Sequence, residues 1–438
     1  MQTPHRSPPP HSLPEDSLAH ALLTAAELIA EVLAGGTLTT ALVRLWAARP
    51  GTPPAVRAAI LDLVYSALRD YGRQDFILGK LLQKPLPEPI QSLLRVALCR
   101  LDARPDTSHT TVDQAVSAAG TVLGGNFKGV ANGVLRNALR QATSLASEAN
   151  ADMVAEYRHP PWWIRRLKNQ YPNDWRAILA AGNTHPPMAL RINPLRATLD
   201  ETLASFDEAG IALRRLANGA LLLERPVPVA RLPGFSEGCI SVQDAGAQYA
   251  ALHLDLADGQ RVLDACAAPG SKTCHILELA DVQVTALDSD ATRGRRITDN
   301  LHRLGLAAEV KTADCRDLER WWDGRLFDRI LADVPCSASG VVRRNPDIKW
   351  LRRSDDIPRF AAQQAEILDA LWRVLAPGGK MLYATCSVFS EENGDQVAAF
   401  AARHPECRRL PIAGQLDRQY LPCTEHDGFF YALLEKNS

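Results

Sequence analysis

From Ile240 onward short apolar segments alternate with helical ones, and this alternation restricts the fold more than any other feature of the chain. Arg261-Val262-Leu263-Asp264, Val282 to Leu287, Glu309 to Thr312, Asp328 to Asp333 and Met381 to Thr385 read as strands. Thr292 to Leu304 and Arg359 to Leu375 repeat apolar residues at helical spacing between them. Strands joined through helices are predicted to form a parallel sheet with helices on both faces. Such a sheet binds ligands at the carboxyl ends of its strands. Residues 239–438 are therefore expected to form one α/β domain with its site along that edge.

The 438 residues are too many for one ordinary core, so further domains are expected. Residues 17–146 repeat apolar positions at three and four, with Gly35-Gly36, Pro50-Gly51 and Pro85 to Pro89 as breaks, and predict a bundle of about six helices. Residues 147–238 read as a small α/β unit, with strands at Ala189 to Asn193 and near Ile211 and Leu221, and a helix from Leu199 to Ala209. Residues 1–16, rich in Pro and His, are expected to be a disordered tail.

No apolar run has the length of a membrane span, and the start of the chain lacks a signal-peptide pattern, so a cytoplasmic address is expected. The nine cysteines lie mostly in apolar strand or helix patterns, which argues against a disulfide framework. None shows zinc spacing, and no metal is expected. A net charge of −1 supplies no general attraction for nucleic acid, so RNA binding has to come from local patches.

Five motifs fall at predicted strand ends. Asp264-Ala265-Cys266-Ala267-Ala268-Pro269-Gly270-Ser271-Lys272-Thr273 joins a strand to a helix with small residues, which lets a ligand approach backbone at a helix N-terminus. It is neither the glycine fingerprint of nicotinamide enzymes nor a phosphate-binding P-loop. Asp288 closes the second strand, where an acidic side chain accepts from a ribose diol; Asp290 reads as a helix cap. Asp314 follows the third strand and suits either an adenine amine or a helix cap. Asp333-Val334-Pro335-Cys336-Ser337 and Tyr383-Ala384-Thr385-Cys386-Ser387 each bring a thiol to a strand end. Glu391-Glu392-Asn393 reads as the acidic first turn of the next helix.

Two thiols beside a nucleoside pocket suggest one chemistry. Carbon 5 of cytosine is a poor nucleophile until a thiolate adds to carbon 6 and makes it enamine-like. Carbon 5 then attacks a sulfonium methyl group, and loss of its proton with expulsion of the thiolate closes the cycle. Asp333 is a candidate to hold the base edge. Arg343, Arg344, Lys349, Trp350, Arg352 and Arg353, crowded between the two cysteines, form a candidate phosphate-binding and base-stacking patch. Trp162-Trp163-Ile164-Arg165-Arg166 is a weaker one, as its tryptophans read equally well as core.

The Cys266 to Lys272 turn, Asp333-Val334-Pro335-Cys336 and Thr385-Cys386-Ser387 together resemble the RNA cytosine-C5 methyltransferase family. The likeness extends almost end to end to its bacterial 16S ribosomal RNA branch, with Gly340 to Trp350 and Gly428-Phe429-Phe430 as further pieces. The first domain resembles the RNA-binding NusB fold, most tellingly at Val134-Leu135-Arg136-Asn137. The resemblance implies a NusB-like helical domain, a small α/β linker domain and a Rossmann-like S-adenosylmethionine-dependent methyltransferase domain. It implies that Cys386 is the nucleophile and Cys336 the helper in releasing the methylated base, a division that composition and spacing leave open. It implies cofactor contacts from Cys266, Ala267, Ala268, Pro269, Gly270, Ser271, Lys272, Asp288, Asp314 and Asp333. It implies 16S rRNA as partner, naked or in an early assembly intermediate, with cytosine 967 as the target and a monomeric enzyme.

One position departs from the family pattern: Ser271 stands where a second glycine is usual. Serine is harmless there in a helical conformation and strained if φ is positive. The rival readings are a sister enzyme acting on a tRNA or another rRNA cytosine, a catalytically silent RNA-binding assembly or antitermination factor, and a nicotinamide oxidoreductase. The intact thiols disfavour the second, and the missing glycine fingerprint disfavours the third.

Overall fold

The computed structural model describes residues 13–437; most of the expected tail, residues 1–12, lies outside the described residues. The chain divides into two compact units, residues up to 184 together with 342–353, and residues 185–341 together with 354–438.

The first unit is helical. Six helices, Leu18–Leu33, Leu38–Ala48, Pro54–Leu81, Glu88–Ala103, Ser108–Ala119 and Lys128–Arg140, are followed by four shorter ones ending with Trp175–Gly182. The starts are set by local chemistry: Ser17 and Thr37 accept from backbone N–H groups of the first turns, and prolines stand in the first turns at Pro54 and Pro89. Every residue from Ser92 to Cys99 is buried, so Glu88–Ala103 runs through the middle of the bundle. Leu22, Ile29, Val64, Leu68 and Leu135 close around it. Arg95 is the buried charge on this helix, and Asp75 and Glu88 neutralise it at 2.9 and 2.6 Å.

Residues 342–353 belong to this helical unit although they lie far along the chain. The Arg69 guanidinium donates twice to the Arg343 carbonyl, at 3.1 and 3.0 Å, and the Leu38 N–H donates to Asp347 at 3.0 Å. Lys349 Nζ donates to the Arg69 carbonyl and to Asn183 Oδ1, both at 2.8 Å. Trp350 Nε1 donates to the Leu68 carbonyl at 2.9 Å, and its ring packs 4.7 Å from that of Tyr71.

This placement leaves Arg343, Lys349 and Trp350 little surface to offer a phosphate or a base. Arg343 and Lys349 are 2% and 0% exposed, and the Trp350 ring is packed among helices. Burial holds the Lys349 ammonium well below the ordinary lysine range. Lys349 and Trp350 instead donate to backbone carbonyls inside the helical unit. Of the six residues, Arg353 is exposed and Arg344 and Arg352 are half-buried.

The second unit contains two sheets. In the smaller, β1 (Ala189–Ile192), β2 (Leu213–Arg215), β3 (Leu221–Leu223) and β4 (Ile240–Val242) pair antiparallel in the order β2-β3-β1-β4. Leu190, Phe206, Leu221 and Ile240 form its core, and a capping box between Thr198 and Glu201 starts the helix Leu199–Glu208.

The larger sheet is built from β5 (Arg261–Ala265), β6 (Gln283–Asp288), β7 (Glu309–Thr312), β8 (Phe327–Asp333), β9 (Leu375–Thr385), β10 (Cys407–Leu410), β11 (Arg418–Tyr420) and β12 (Phe429–Lys436). The order is β10-β12-β9-β8-β5-β6-β7, with β11 beside β12. The strands β5 to β9 are parallel, as their alternation with helices predicts. Beyond the five predicted strands the edge formed by β10, β11 and β12 is antiparallel. Strand β12 is a nearly continuous buried apolar run, and such a run does not reveal a strand by its periodicity. The order reverses between β5 and β8, which opens the crevice where sheets of this kind bind ligands.

Lys349→Ala leaves the Arg69 carbonyl and Asn183 Oδ1 buried without their donor. It is expected to destabilise the protein by about 1–3 kcal/mol in thermal or denaturant unfolding. The salt dependence of RNA affinity is expected to stay unchanged. Weakened RNA binding at full stability would return Lys349 to the RNA interface.

Candidate active site

The turn after β5 is shaped by two left-handed residues, Cys266 at φ +64° and Gly270 at φ +93°. A side chain at Gly270 would bring Cβ to 2.9 Å from the Ile297 backbone, so glycine is required there on two counts. Ser271 is absent from the positive-φ residues and opens the helix Ser271–Leu279, so the departure from the usual glycine carries no backbone strain. Beneath the turn, Arg191 from β1 donates to the Ser271 carbonyl at 3.1 Å and pairs with Glu278 at 2.7 and 2.8 Å.

Acidic side chains follow at successive strand ends. Asp288 at the end of β6 is 2% exposed and accepts from the Ala268 N–H at 3.0 Å, the Asp290 N–H at 3.0 Å and Arg293 at 2.8 Å. Asp290 caps the helix Ala291–Leu304 through Thr292 and Arg293 N–H groups. Asp314, after β7, pairs with Arg316 at 2.7 Å, and those hydrogen bonds hold its carboxyl below the usual range. Cys266, Asp288, Asp314, Pro335 and Ile367 line one cleft across the ends of β5 to β8. Cys266 is kept as a thiol by its hydrogen bond with Cys315 and by burial.

The two strand-end cysteines meet beside this cleft. Cys336 Sγ and Cys386 Sγ are 3.3 Å apart. Both side chains are half-buried, while Ser337, Thr385 and Ser387 are buried. The hydrogen bond with Cys386, burial, and the charges of Cys386 and Glu392 push the Cys336 thiol well above its ordinary range. Asp333 Oδ2 pairs with Lys272 Nζ at 2.5 Å, which links the turn after β5 to the end of β8. Burial pulls the Lys272 ammonium down, but Asp333 more than offsets it and the net shift is upward. The loops close tightly: the Gly340 N–H donates to the Cys386 carbonyl at 2.8 Å, and Gly428 N–H donates to the Gly340 carbonyl at 2.9 Å. Any side chain on Gly340 would strike the Gly428 backbone.

The candidate cofactor residues and the candidate catalytic residues thus share one edge of one sheet, and Arg343, Arg344, Lys349, Trp350, Arg352 and Arg353 belong to the other unit. The sequence reading missed Asp264 and Glu392. Asp264 is fully buried at the end of β5; Thr273 donates to its Oδ2 at 2.6 Å, and Oδ1 has no partner within the protein. Glu392 is also fully buried, not the exposed first-turn residue expected. Both stood inside stretches quoted from the sequence, Asp264 at the head of the turn motif and Glu392 in Glu391-Glu392-Asn393, but their burial carries no sequence signal.

Burial pushes the Asp264 carboxyl up to about 7, against the counteracting hydrogen bond from Thr273 and with a further upward push from Asp333. The unfolded chain ionises this group near 3.8, and the folded chain retains the proton to about 7. Stability from this group is therefore greatest at low pH and is lost as pH rises through that window. Asp264→Asn removes the dependence, so its melting temperature relative to the parent is expected to rise between pH 4.5 and 7.5. A difference constant over that range would mean that Asp264 is ionised throughout.

Among the described residues no group of three or more His, Cys, Asp or Glu could hold a metal ion, and no helix is long and apolar enough to cross a membrane. Residues 251–435 match the 16S rRNA methyltransferase RsmB/F family, residues 159–230 its ferredoxin-like domain, and residues 21–140 the NusB family. The chain is 43% identical over 410 residues to ribosomal RNA small subunit methyltransferase B of Vibrio cholerae, covering 92% of this chain and 94% of that one. Against the protein of the same name from Escherichia coli O6:H1 it is 44% identical, covering 87% and 90%. Its fold is that of the solved structure of PH0851, with a TM-score of 0.78 at 24% identity, covering 97% and 99%.

The cofactor of this methyltransferase is S-adenosylmethionine. The cleft suits it chemically, with Asp288 as an acceptor for a ribose diol, Asp314 for an exocyclic amine and Ile367 as an apolar surface. By the extent of these matches the chain belongs to the RsmB/F family of 16S rRNA methyltransferases, with a NusB domain, a ferredoxin-like domain and a methyltransferase domain in that order.

Proposed function

We propose that this enzyme methylates carbon 5 of a cytosine in 16S ribosomal RNA, cytosine 967, through a covalent adduct between Cys386 and carbon 6 of the base. The observation that carries this reading is the 3.3 Å separation of the Cys336 and Cys386 sulfurs at the ends of adjacent strands, beside the cofactor cleft. A structural role would need only one buried thiol, and a binding module would need neither at a cleft.

When bound, S-adenosylmethionine supplies an electrophilic sulfonium methyl group. Cys386 adds as thiolate to carbon 6, which makes carbon 5 nucleophilic. Asp333, three residues before Cys336 and paired with Lys272, would hold the base edge by accepting from the exocyclic amine or supporting a protonated ring nitrogen. After methyl transfer water takes the carbon 5 proton, the carbon 5–carbon 6 double bond re-forms, and the carbon 6–sulfur bond breaks with its electron pair leaving on the Cys386 sulfur. Cys336, kept as a thiol, donates a hydrogen bond to that departing sulfur and so lowers the barrier to elimination.

The choice of 16S rRNA follows the small-subunit methyltransferases that the chain resembles over most of its length. The NusB-like helical domain, expected at residues 17–146, would dock the RNA, followed by the linker domain at 147–238 and the catalytic domain at 239–438. We take the enzyme to act as a monomer in the cytoplasm, on naked rRNA or an early assembly intermediate.

Labelled S-adenosylmethionine with unmodified 16S rRNA, read out by bisulfite sequencing, is expected to give one protected cytosine. Label entering only tRNA would overturn the substrate. Cys386→Ala is expected to lower single-turnover transfer by at least about 10³-fold with cofactor binding unchanged; substantial residual turnover would sink the nucleophile assignment. Cys336→Ala is expected to accumulate a covalent protein–RNA adduct, seen as a shifted band on a denaturing gel. Without that band the helper role is wrong.

A further inference from the structure

Glu392 lies in the short turn Ser390–Glu392 after β9 and is fully buried. Its Oε1 accepts from the Ser337 N–H at 2.7 Å and from Gln364 Nε2 at 3.3 Å. Its Oε2 accepts from the hydroxyls of Ser337 and Ser387, both at 2.5 Å. Ser337 and Ser387 are the residues immediately after Cys336 and Cys386. One carboxylate therefore grips the loops that carry both thiols.

The surroundings reinforce the grip. Gln364 also donates to the Pro335 carbonyl at 3.0 Å, and Tyr383 donates to the Glu392 carbonyl at 2.6 Å. Asn393 donates to the Ser387 carbonyl at 2.9 Å and accepts from Thr385 at 2.6 Å. Among the described residues no basic side chain forms an ion pair with Glu392. Burial pushes the Glu392 carboxyl above the usual carboxylate range, against the hydrogen bonds from Ser337, Ser387 and Gln364 that favour its charged form, so holding the charge there costs stability that an apolar residue would not. That cost is explained if the charge itself serves the thiols.

We infer that Glu392 is a positioning residue for the reaction: it locks the loops after β8 and β9 so that the two sulfurs meet, and its charge assigns the thiols different roles. The inference rests on both cysteines acting as proposed above. The ionisable groups facing Cys336 are Cys386 on the neighbouring loop, Glu392 behind it and Tyr383 on β9; Lys272 faces Cys386. Negative charge at Glu392 adds to the hydrogen bond with Cys386 and to burial in disfavouring an anion at Cys336, so Cys336 stays the hydrogen-bond donor of the pair.

The test needs neither RNA nor cofactor at its first step. In a Cys386→Ser background, iodoacetamide alkylation of Cys336 is followed against pH by peptide mass spectrometry. Glu392→Gln is expected to move the alkylation midpoint down by about one pH unit, and Glu392→Asp to leave it nearly in place. With both thiols present, each variant is expected to lose about 10- to 100-fold in single-turnover methyl transfer, with RNA KM and cofactor affinity within about twofold. An unchanged midpoint and an unchanged rate in folded Glu392→Gln would overturn the inference, as would loss of cofactor binding in step with lost activity.

If Glu392→Gln does not fold, Ser387→Ala decides, since it removes one donor to Glu392 together with the bonds of the same hydroxyl to the Phe389 N–H and the Ser339 hydroxyl: a rate lower by about three- to tenfold at unchanged melting temperature supports the clamp, and no change refutes it. The alkylation result stands apart from the catalytic reading. Residual turnover in Cys386→Ala would remove the nucleophile but would not alter the Cys336 titration.

Discussion

The site depends on the register between β8 and β9. Asp333 is paired with Ala384, and the Val334 N–H continues the ladder to the Ala384 carbonyl at 3.1 Å. From that pairing the chain runs three residues further to Cys336 on one side and two to Cys386 on the other, so the thiols emerge side by side in the loops after the strands. A slip of one residue would turn alternate side chains to the opposite face and separate them. Both strands are buried on both faces by Leu331, Ala332, Leu382 and Tyr383, and this packing is what holds the register.

Around the pair, polar groups inside the protein are used to fix geometry. Arg191 and Glu278 are 4% and 0% exposed, and the same guanidinium reaches the carbonyl of Ser271. The first strand of the small sheet thereby holds the turn that opens the cofactor cleft. Gly340 and Gly428 do the same by absence, since their backbones touch where any side chain would clash. These are expensive arrangements by the standards of a hydrophobic core, and they concentrate where the ends of the strands must be held to a fraction of an ångström.

Much of this was legible in the sequence, for physical reasons. The parallel strands were readable because each is short, apolar and followed by a helix, and the acidic strand-end residues stood out against apolar runs. Strand β12 was not readable, because an unbroken apolar run carries no period. Glu392 was misread because acidic residues at a helix start usually face water, and only the fold reveals two serine hydroxyls pointing at it. The packing of Arg343, Lys349 and Trp350 was not legible, because sequence shows charge and aromaticity but not which carbonyls a lysine will meet. The resemblance to a family supplied what spacing could not, namely an order between two otherwise similar cysteines.

The segment 342–353 has a consequence for how the molecule is made. The helical unit is encoded almost wholly in the first 184 residues, yet it is completed by twelve that leave the ribosome only after β8. Until then Leu68, Tyr71 and Asn183 lack the partners they have in the finished protein. Domains commonly fold in order as they are synthesised. Here the first unit in the chain cannot finish first, and its last piece arrives tethered to a half-built sheet that still lacks β9 and its cysteine.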